Sequence, residues 1–310
     1  MFRPDIFIRA CWRKLRARPN RCVVQTAWGD WLEVEPRKFI GANLYMRGVH
    51  ELAVCEVLWR LASAGETVVD AGANIGVMTS LLSKKVGESG RALAFEAHPG
   101  MFRQLELNSR RWNRRQIELF DAALSARAGA VRLCEGIGFA ANEGTARVAP
   151  VNASGPCHEV EAIRLDDLLP CGTCGVIKID VEGHESAVLA GAANALLEQR
   201  LRDIVFESTW DFPGAAHERL LAAGYRIFGL EQSMLGPKLL SVRRRSGHKG
   251  RLTDYVATVD ASRALGLAAP AGWQVLSRSC ERRRPAGVLR CGKKGTRRRY
   301  AGAARFNCFL

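Results

Sequence analysis

The sequence predicts an α/β fold: a mostly parallel sheet of about seven strands with helices on both faces. Three observations predict it. Short apolar runs rich in β-branched residues alternate with helical-period apolar patterns from residue 49 onward. The first run, Thr67-Val-Val-Asp70, breaks into a glycine loop that opens a helix. Acidic residues recur at the C-terminal ends of the runs, which share one edge in a parallel sheet.

The elements follow in order. Leu52, Cys55, Leu58 and Leu61 lie at helical spacing and stop before Gly65. After the strand at 67–70 and the loop Ala71-Gly-Ala-Asn-Ile-Gly76, a helix carries Val77, Met78, Leu81 and Leu82 on one face. Arg91–Phe95 is the second strand, and Pro99 suits the first turn of a helix faced by Met101, Phe102, Leu105 and Trp112. Gln116–Phe120 is the third strand. Val131–Cys134 and Val160–Ile163 read as a hairpin insertion spanning about 124–175, with a Gly/Ala/Asn-rich loop near 136–157. The alternation resumes with strand Val176–Asp180, helix Glu185–Glu198 and strand Asp203–Glu207. A helix over 214–223 and strands Tyr225–Gly229 and Tyr255–Val259 complete it. The expected organisation is a lead-in with a basic arm (1–48), one main domain (49–277) and a basic, disordered tail (278–310).

Of 310 residues, 47% are apolar and 25% charged, which excludes bulk disorder and collagen-like classes. The net charge of +15 points to nucleic acid until it is located. Residues 1–22 carry a net +6 and residues 278–310 a net +10, so residues 23–277 are close to neutral at −1. The main domain therefore has no excess charge with which to track a polyanion. No apolar run reaches the roughly 18 residues of a membrane span, and the first residues are too charged for a signal-peptide core. A soluble cytoplasmic protein is expected. The arm, with Phe2, Ile6, Trp12 and Leu15 among arginines, could rest on an anionic inner-membrane face or simply pack on the domain. Of ten cysteines only Cys171 and Cys174 have two-residue spacing, and no second pair or His partner stands near. They read as ordinary thiols, and no metal site is expected.

The chemistry concentrates at the strand tips. Dinucleotide loops need G-x-G-x-x-G, whose middle glycine admits a pyrophosphate. Here Asn74 holds that position between Gly72 and Gly76, and Asp70 adds a carboxylate that disfavours phosphate and favours a cation. S-adenosylmethionine has no phosphate and carries a sulfonium and an ammonium, so it is the cofactor this loop fits. Glu96, at the second strand tip, can accept from both ribose hydroxyls. Asp121 and Ala122, at the third tip, would flank the adenine, with Asp121 accepting from its amine. Alone, Glu96 reads equally well as a solvated carboxylate; its order after Asp70, Gly72 and Gly76 marks a site. At the fourth tip Asp180, Glu182 and His184 fall within five residues, and Glu207 stands at the next. Such groups can position and deprotonate a substrate hydroxyl. Glu182 and Glu185 also suit a helix N-terminus, where acids are favoured.

The segments VVDAGANIGVMT, AFEAHP, DAALS, RLDDLL and VIKIDVEGHESAVLAGA, in that order over about residues 65–230, resemble the FkbM-type family of S-adenosylmethionine-dependent methyltransferases. The resemblance implies a Rossmann-like class I methyltransferase fold and O-methylation of a hydroxyl on a sugar, glycan or secondary metabolite. By it, Asp70, Gly72, Asn74, Gly76 and Glu96 serve the cofactor, and Asp180 and Glu182 lie near the acceptor. His184 departs from the small residue expected there. Nucleic-acid methylation through the basic ends is a rival reading, but the fourth tip lacks the proline and aromatic residue that stack a base. A non-catalytic S-adenosylmethionine-binding domain is another. A nicotinamide-dependent dehydrogenase is disfavoured by Asn74.

Overall fold

The computed structural model describes residues 18–277 except 137, 140, 149–154, 170, 209–211 and 243–251. The arm up to residue 17 and the tail from 278 lie outside the described residues. The chain opens with an antiparallel hairpin, β1 (Cys22–Gln25) and β2 (Trp31–Val34), followed by α1 (Phe39–Arg47) and α2 (Leu52–Leu61). Trp28 in the hairpin turn is fully buried and donates its indole N–H to Ser80 Oγ at 3.0 Å, so this lead-in is part of the core.

Then come β3 (Thr67–Ala71), α3 (Val77–Val86), β4 (Arg91–Phe95), α4 (Pro99–Arg110) and β5 (Ile117–Phe120). Pro99 sits in the first turn of α4, and the His98 ring caps it by accepting the N–H groups of Gly100 and Met101. A second, four-stranded sheet follows from β6 (Ala123–Leu124), β7 (Gly129–Cys134), β8 (Arg147–Val148) and β9 (Cys157–Ile163), in the order β6-β9-β7-β8. A disulfide joins Cys134 to Cys157 where β7 and β9 pair. After α5 (Leu165–Leu168), the main sheet resumes with β10 (Cys174–Ile179), α6 (Glu185–Ala190), α7 (Ala193–Leu197) and β11 (Leu201–Glu207). The last elements are α8 (Ala215–Ala222), β12 (Arg226–Ser233), β13 (Gly236–Ser241), β14 (Asp254–Thr258) and α9 (Ala261–Ala268).

The main sheet has eight strands, in the order β13-β12-β14-β11-β10-β3-β4-β5. β5, β4, β3, β10 and β11 are parallel, and β14, β12 and β13 pair antiparallel. The expected count was seven. The eighth, β13, carries Pro237 and lies at the sheet edge, where a residue with no N–H is tolerated. The expected helix 185–198 is two helices. Gly191 sits between them so close to the Ser125 carbonyl that a Cβ there would collide with it.

Two apolar layers flank the sheet. One gathers Trp28, Leu32, Leu44, Leu58, Leu81 and Leu105, the other Phe95, Leu189, Leu196, Ile204, Phe206 and Leu220. Both leave the C-terminal ends of β3, β4, β10 and β11 facing one cleft. Among the described residues no helix is long and apolar enough to cross a membrane.

Candidate active site

The cleft at that edge is a cavity of about 260 Å³. Its first wall is the loop after β3. Gly72 has φ +80°, and a Cβ there would strike the Asp180 carbonyl oxygen. The glycine therefore lets two neighbouring strand tips approach each other. The N–H groups of Gly72 and Ala73 both donate to the Phe95 carbonyl, at 3.0 and 2.9 Å. Asn74 lines the cavity at φ +51°, and its side-chain oxygen accepts the Ile75 N–H at 2.8 Å. Gly76 does not line it. Its φ of +93° starts α3, and a Cβ would crowd Leu105 and Trp112.

Glu96 lines the cavity and is buried. Its two oxygens accept the N–H groups of Asn74 (2.7 Å) and His98 (2.8 Å), so the carboxylate is fixed in place. Burial pushes its pKa up to about 7, against those hydrogen bonds. Asp70 lies deeper, outside the lining, and accepts from Thr79 Oγ1 at 2.6 Å. Its other oxygen has no hydrogen-bond partner and lies 3.8 Å from Lys178 Nζ, and burial raises its pKa. Ala122 lines the cavity together with Ala123 and Leu124. Asp121 is exposed and outside the lining. The expected contact with an adenine amine has no support in this geometry.

The opposite wall is β10 and the turn after it. Lys178, buried, reaches Asp180 Oδ2 at 3.1 Å and the Gly72 carbonyl at 3.2 Å. Burial acts to lower the Lys178 pKa, but Asp180 and Asp70 outweigh it and raise it. Asp180 is moved upward by burial and further downward by Lys178, so it stays ionised. Glu207, hydrogen-bonded to Asp180, is pushed up to about 9 by burial and by the Asp180 charge, so it holds the proton of the pair. Glu182 is exposed at φ +52°, and its pKa rises to about 7 through desolvation and the charges of Asp180 and Glu185. His184 has its pKa lowered by burial and shares a 2.9 Å hydrogen bond with Ser125 Oγ. Asp180, Glu182, His184 and Glu207 all line the cavity that holds Asn74 and Glu96.

Sequence reasoning missed a third wall. Phe39, Ile40, His50 and Glu51, from α1 and the turn before α2, close the cleft, with Asn142 and Gly144 beyond β7. The turn Val49-His50-Glu51 has no motif, and only the path of the chain brings it to the strand tips. Among the described residues one further cluster, His98, Glu135 and His158, brings ligand-type atoms within 4.8 Å of one another. The His98 Nδ1 lone pair is already taken by the α4 cap, which leaves the proton on Nε2, 3.4 Å from Glu135. That nitrogen is then a donor rather than a ligand. Cys171 and Cys174 are both free, the first exposed and the second buried.

A model of the methyltransferase FkbM domain matches residues 70–227. A hexuronic acid methyltransferase of Haloferax volcanii, AglP, is 34% identical over 149 residues, which are 47% of this chain and 58% of that protein. The chain thus spans little more than half the length of this relative. Among solved structures, a precorrin-6Y C5,15-methyltransferase of Geobacter metallireducens aligns at 15% identity over 68% of this chain and 93% of that one, with a TM-score of 0.39. An S-adenosylmethionine-dependent O-methyltransferase of Thermotoga maritima aligns at 12% identity over 80% and 95%, with a TM-score of 0.39. The FkbM match runs from Asp70 at the end of β3 into β12 and takes in just over half of the sequence, so the chain belongs to the FkbM methyltransferase family.

Proposed function

We propose that the protein moves the methyl group of S-adenosylmethionine to a hydroxyl of a sugar or a comparable polyol. One observation carries this reading. A cleft wall suited to a phosphate-free nucleoside, made by Gly72–Asn74, Glu96 and Ala122–Leu124, opens directly onto Asp180, Glu182 and Glu207.

The residues fit the cofactor. Glu96 keeps lone pairs for ribose hydroxyl donors after accepting two backbone N–H groups. Ala122 and Ala123 leave room for a flat base. Lys178 is the only Lys or Arg among the described lining residues and is engaged by Asp180, so none of these residues offers a phosphate an unpaired Lys or Arg. When bound, S-adenosylmethionine supplies an electrophilic methyl carbon on a positively charged sulfur.

The chain's own groups then do three things. Lys178 keeps Asp180 ionised, and Asp180 with the protonated Glu207 forms a rigid pair that can orient a hydroxyl. Glu182, with a pKa near 7, accepts the hydroxyl proton, a role typically worth ~10²–10⁴-fold. Holding both reactants in one cavity contributes on the order of 7–11 kcal/mol to the barrier lowering. The name printed for the Haloferax relative supports a sugar as acceptor.

The test is transfer of tritiated methyl from S-adenosylmethionine to a panel of glycosides and hydroxylated metabolites, with the Glu96→Ala protein as blank. Label should reach an alkali-stable ether. Absence of S-adenosylmethionine binding by calorimetry would remove the proposal.

A further inference from the structure

Phe39 is 56% exposed, although it lines the cavity. Its ring meets the His50 ring edge-on with centroids 5.6 Å apart, which fixes its tilt. Its backbone N–H donates to the Ala141 carbonyl at 2.9 Å, which ties the start of α1 to the segment bearing Asn142. An aromatic face open to water at a cleft mouth gains free energy when an apolar face covers it. The C–H face of a pyranose is such a surface, and its partial positive charge suits the negative face of the ring.

The polar lining of the cavity that Phe39 shares is acidic. Glu51, Asp180, Glu182 and Glu207 line the cavity, and the single Lys or Arg among the described lining residues, Lys178, is held by Asp180 and the Gly72 carbonyl. Of the two lining imidazoles, His184 bonds Ser125 and His50 lies 3.3 Å from Glu51. A carboxylate on the acceptor would lose its hydration and meet four carboxyl groups, and among the described lining residues no Lys or Arg is left to pair with it; Arg147, whose charge reaches Glu182, is exposed and outside the lining. Hydroxyl and ammonium donors would find acceptors instead.

We infer that the methyl acceptor is a sugar ring without a carboxylate, neutral or amino-bearing, seated with its C–H face on Phe39, and that Phe39 and Glu51 set this specificity. The inference rests on the methyl-transfer reading above. It separates this chain from the hexuronic acid named for its Haloferax relative.

The test compares three p-nitrophenyl β-hexopyranosides, the glucoside, the glucosaminide and the glucuronide, on the full chain. Methyl transfer is read as kcat/KM, and sugar binding is read by calorimetry in the presence of S-adenosylhomocysteine. The glucoside or glucosaminide should bind and react at least tenfold better than the glucuronide. Phe39→Ala should raise the sugar KM about tenfold while S-adenosylhomocysteine affinity stays within twofold, and Phe39→Trp should restore KM. Glu51→Gln should narrow the gap to the glucuronide. A preferred glucuronide, or an unchanged KM in Phe39→Ala, overturns the inference. So does failure of all three glycosides to bind a protein that still binds S-adenosylhomocysteine, which leaves methyl transfer standing. Loss of S-adenosylhomocysteine binding by the wild-type chain overturns both.

Discussion

Replacing Glu182 by Gln tests the assignment of the base most directly. The side chain is exposed and makes no hydrogen bond among the described residues, and Gln adopts the φ of +52° no worse than Glu. The fold should therefore survive. With its pKa raised to about 7 by desolvation and by Asp180, Glu182 is ionised over only part of the neutral range. A base acts in its deprotonated form, so kcat should rise with pH and level off above 7. Between pH 7 and pH 5 the ionised fraction falls about fiftyfold, and kcat with it. Were the pKa unshifted, near ~4.3, the same interval would change kcat by less than about twofold. Glu207 gives up its proton near 9, which adds a second charge beside Asp180 and should produce a falling limb. Glu96 also titrates near 7, but its protonation weakens ribose binding and belongs in the KM for S-adenosylmethionine. The assay is steady-state kcat from pH 5 to 10 under saturating cofactor. Glu182→Gln should lower kcat by ~10²–10⁴-fold and abolish the rising limb while cofactor affinity stays put. A variant with the same rising limb at wild-type height would show that the base is another group.

Three further outcomes follow from the geometry. Gly72→Ala should cost roughly 3 kcal/mol or more, read by urea unfolding, because its Cβ meets backbone at the Asp180 carbonyl and φ is +80°; a stable, soluble Gly72→Ala protein would refute this packing. Arg60 is buried, pairs with Glu56 at 2.7 Å and donates to the carbonyls of Leu267, Ala268, Pro270 and Gly272. Arg60→Met removes the cation beside buried Glu56, which keeps the N–H donors of Gln274 and Val275, and should cost about 3–5 kcal/mol, lowering Tm by on the order of 10 °C by calorimetry; a shift under about 2 °C would refute it. Asp121→Ala should leave S-adenosylmethionine affinity within twofold, whereas Glu96→Ala should abolish binding, both by calorimetry. Equal losses would return Asp121 to the site.

The strand–loop–helix side of the cleft was legible because its information is local. A strand, a glycine loop and a helix follow one another within residues 67–86, and the next strand tip brings Glu96 by topology alone. What each glycine does was not legible. Gly72 faces another strand tip and Gly76 faces Leu105 and Trp112, contacts with residues far along the chain.

The sequence by itself determined the alternation of strands and helices, the shared acidic edge and the family, since these depend on periodicity and short motifs. Only the tertiary structure decided which carboxyl keeps a proton, because that follows from Lys178 standing 3.1 Å from Asp180 while Glu207 leans on the same group. It also decided that Phe39, His50 and Glu51 close the cleft and that Asp121 lies outside its lining. Proximity between residues more than a hundred positions apart is set by how the layers pack, and no local pattern encodes it.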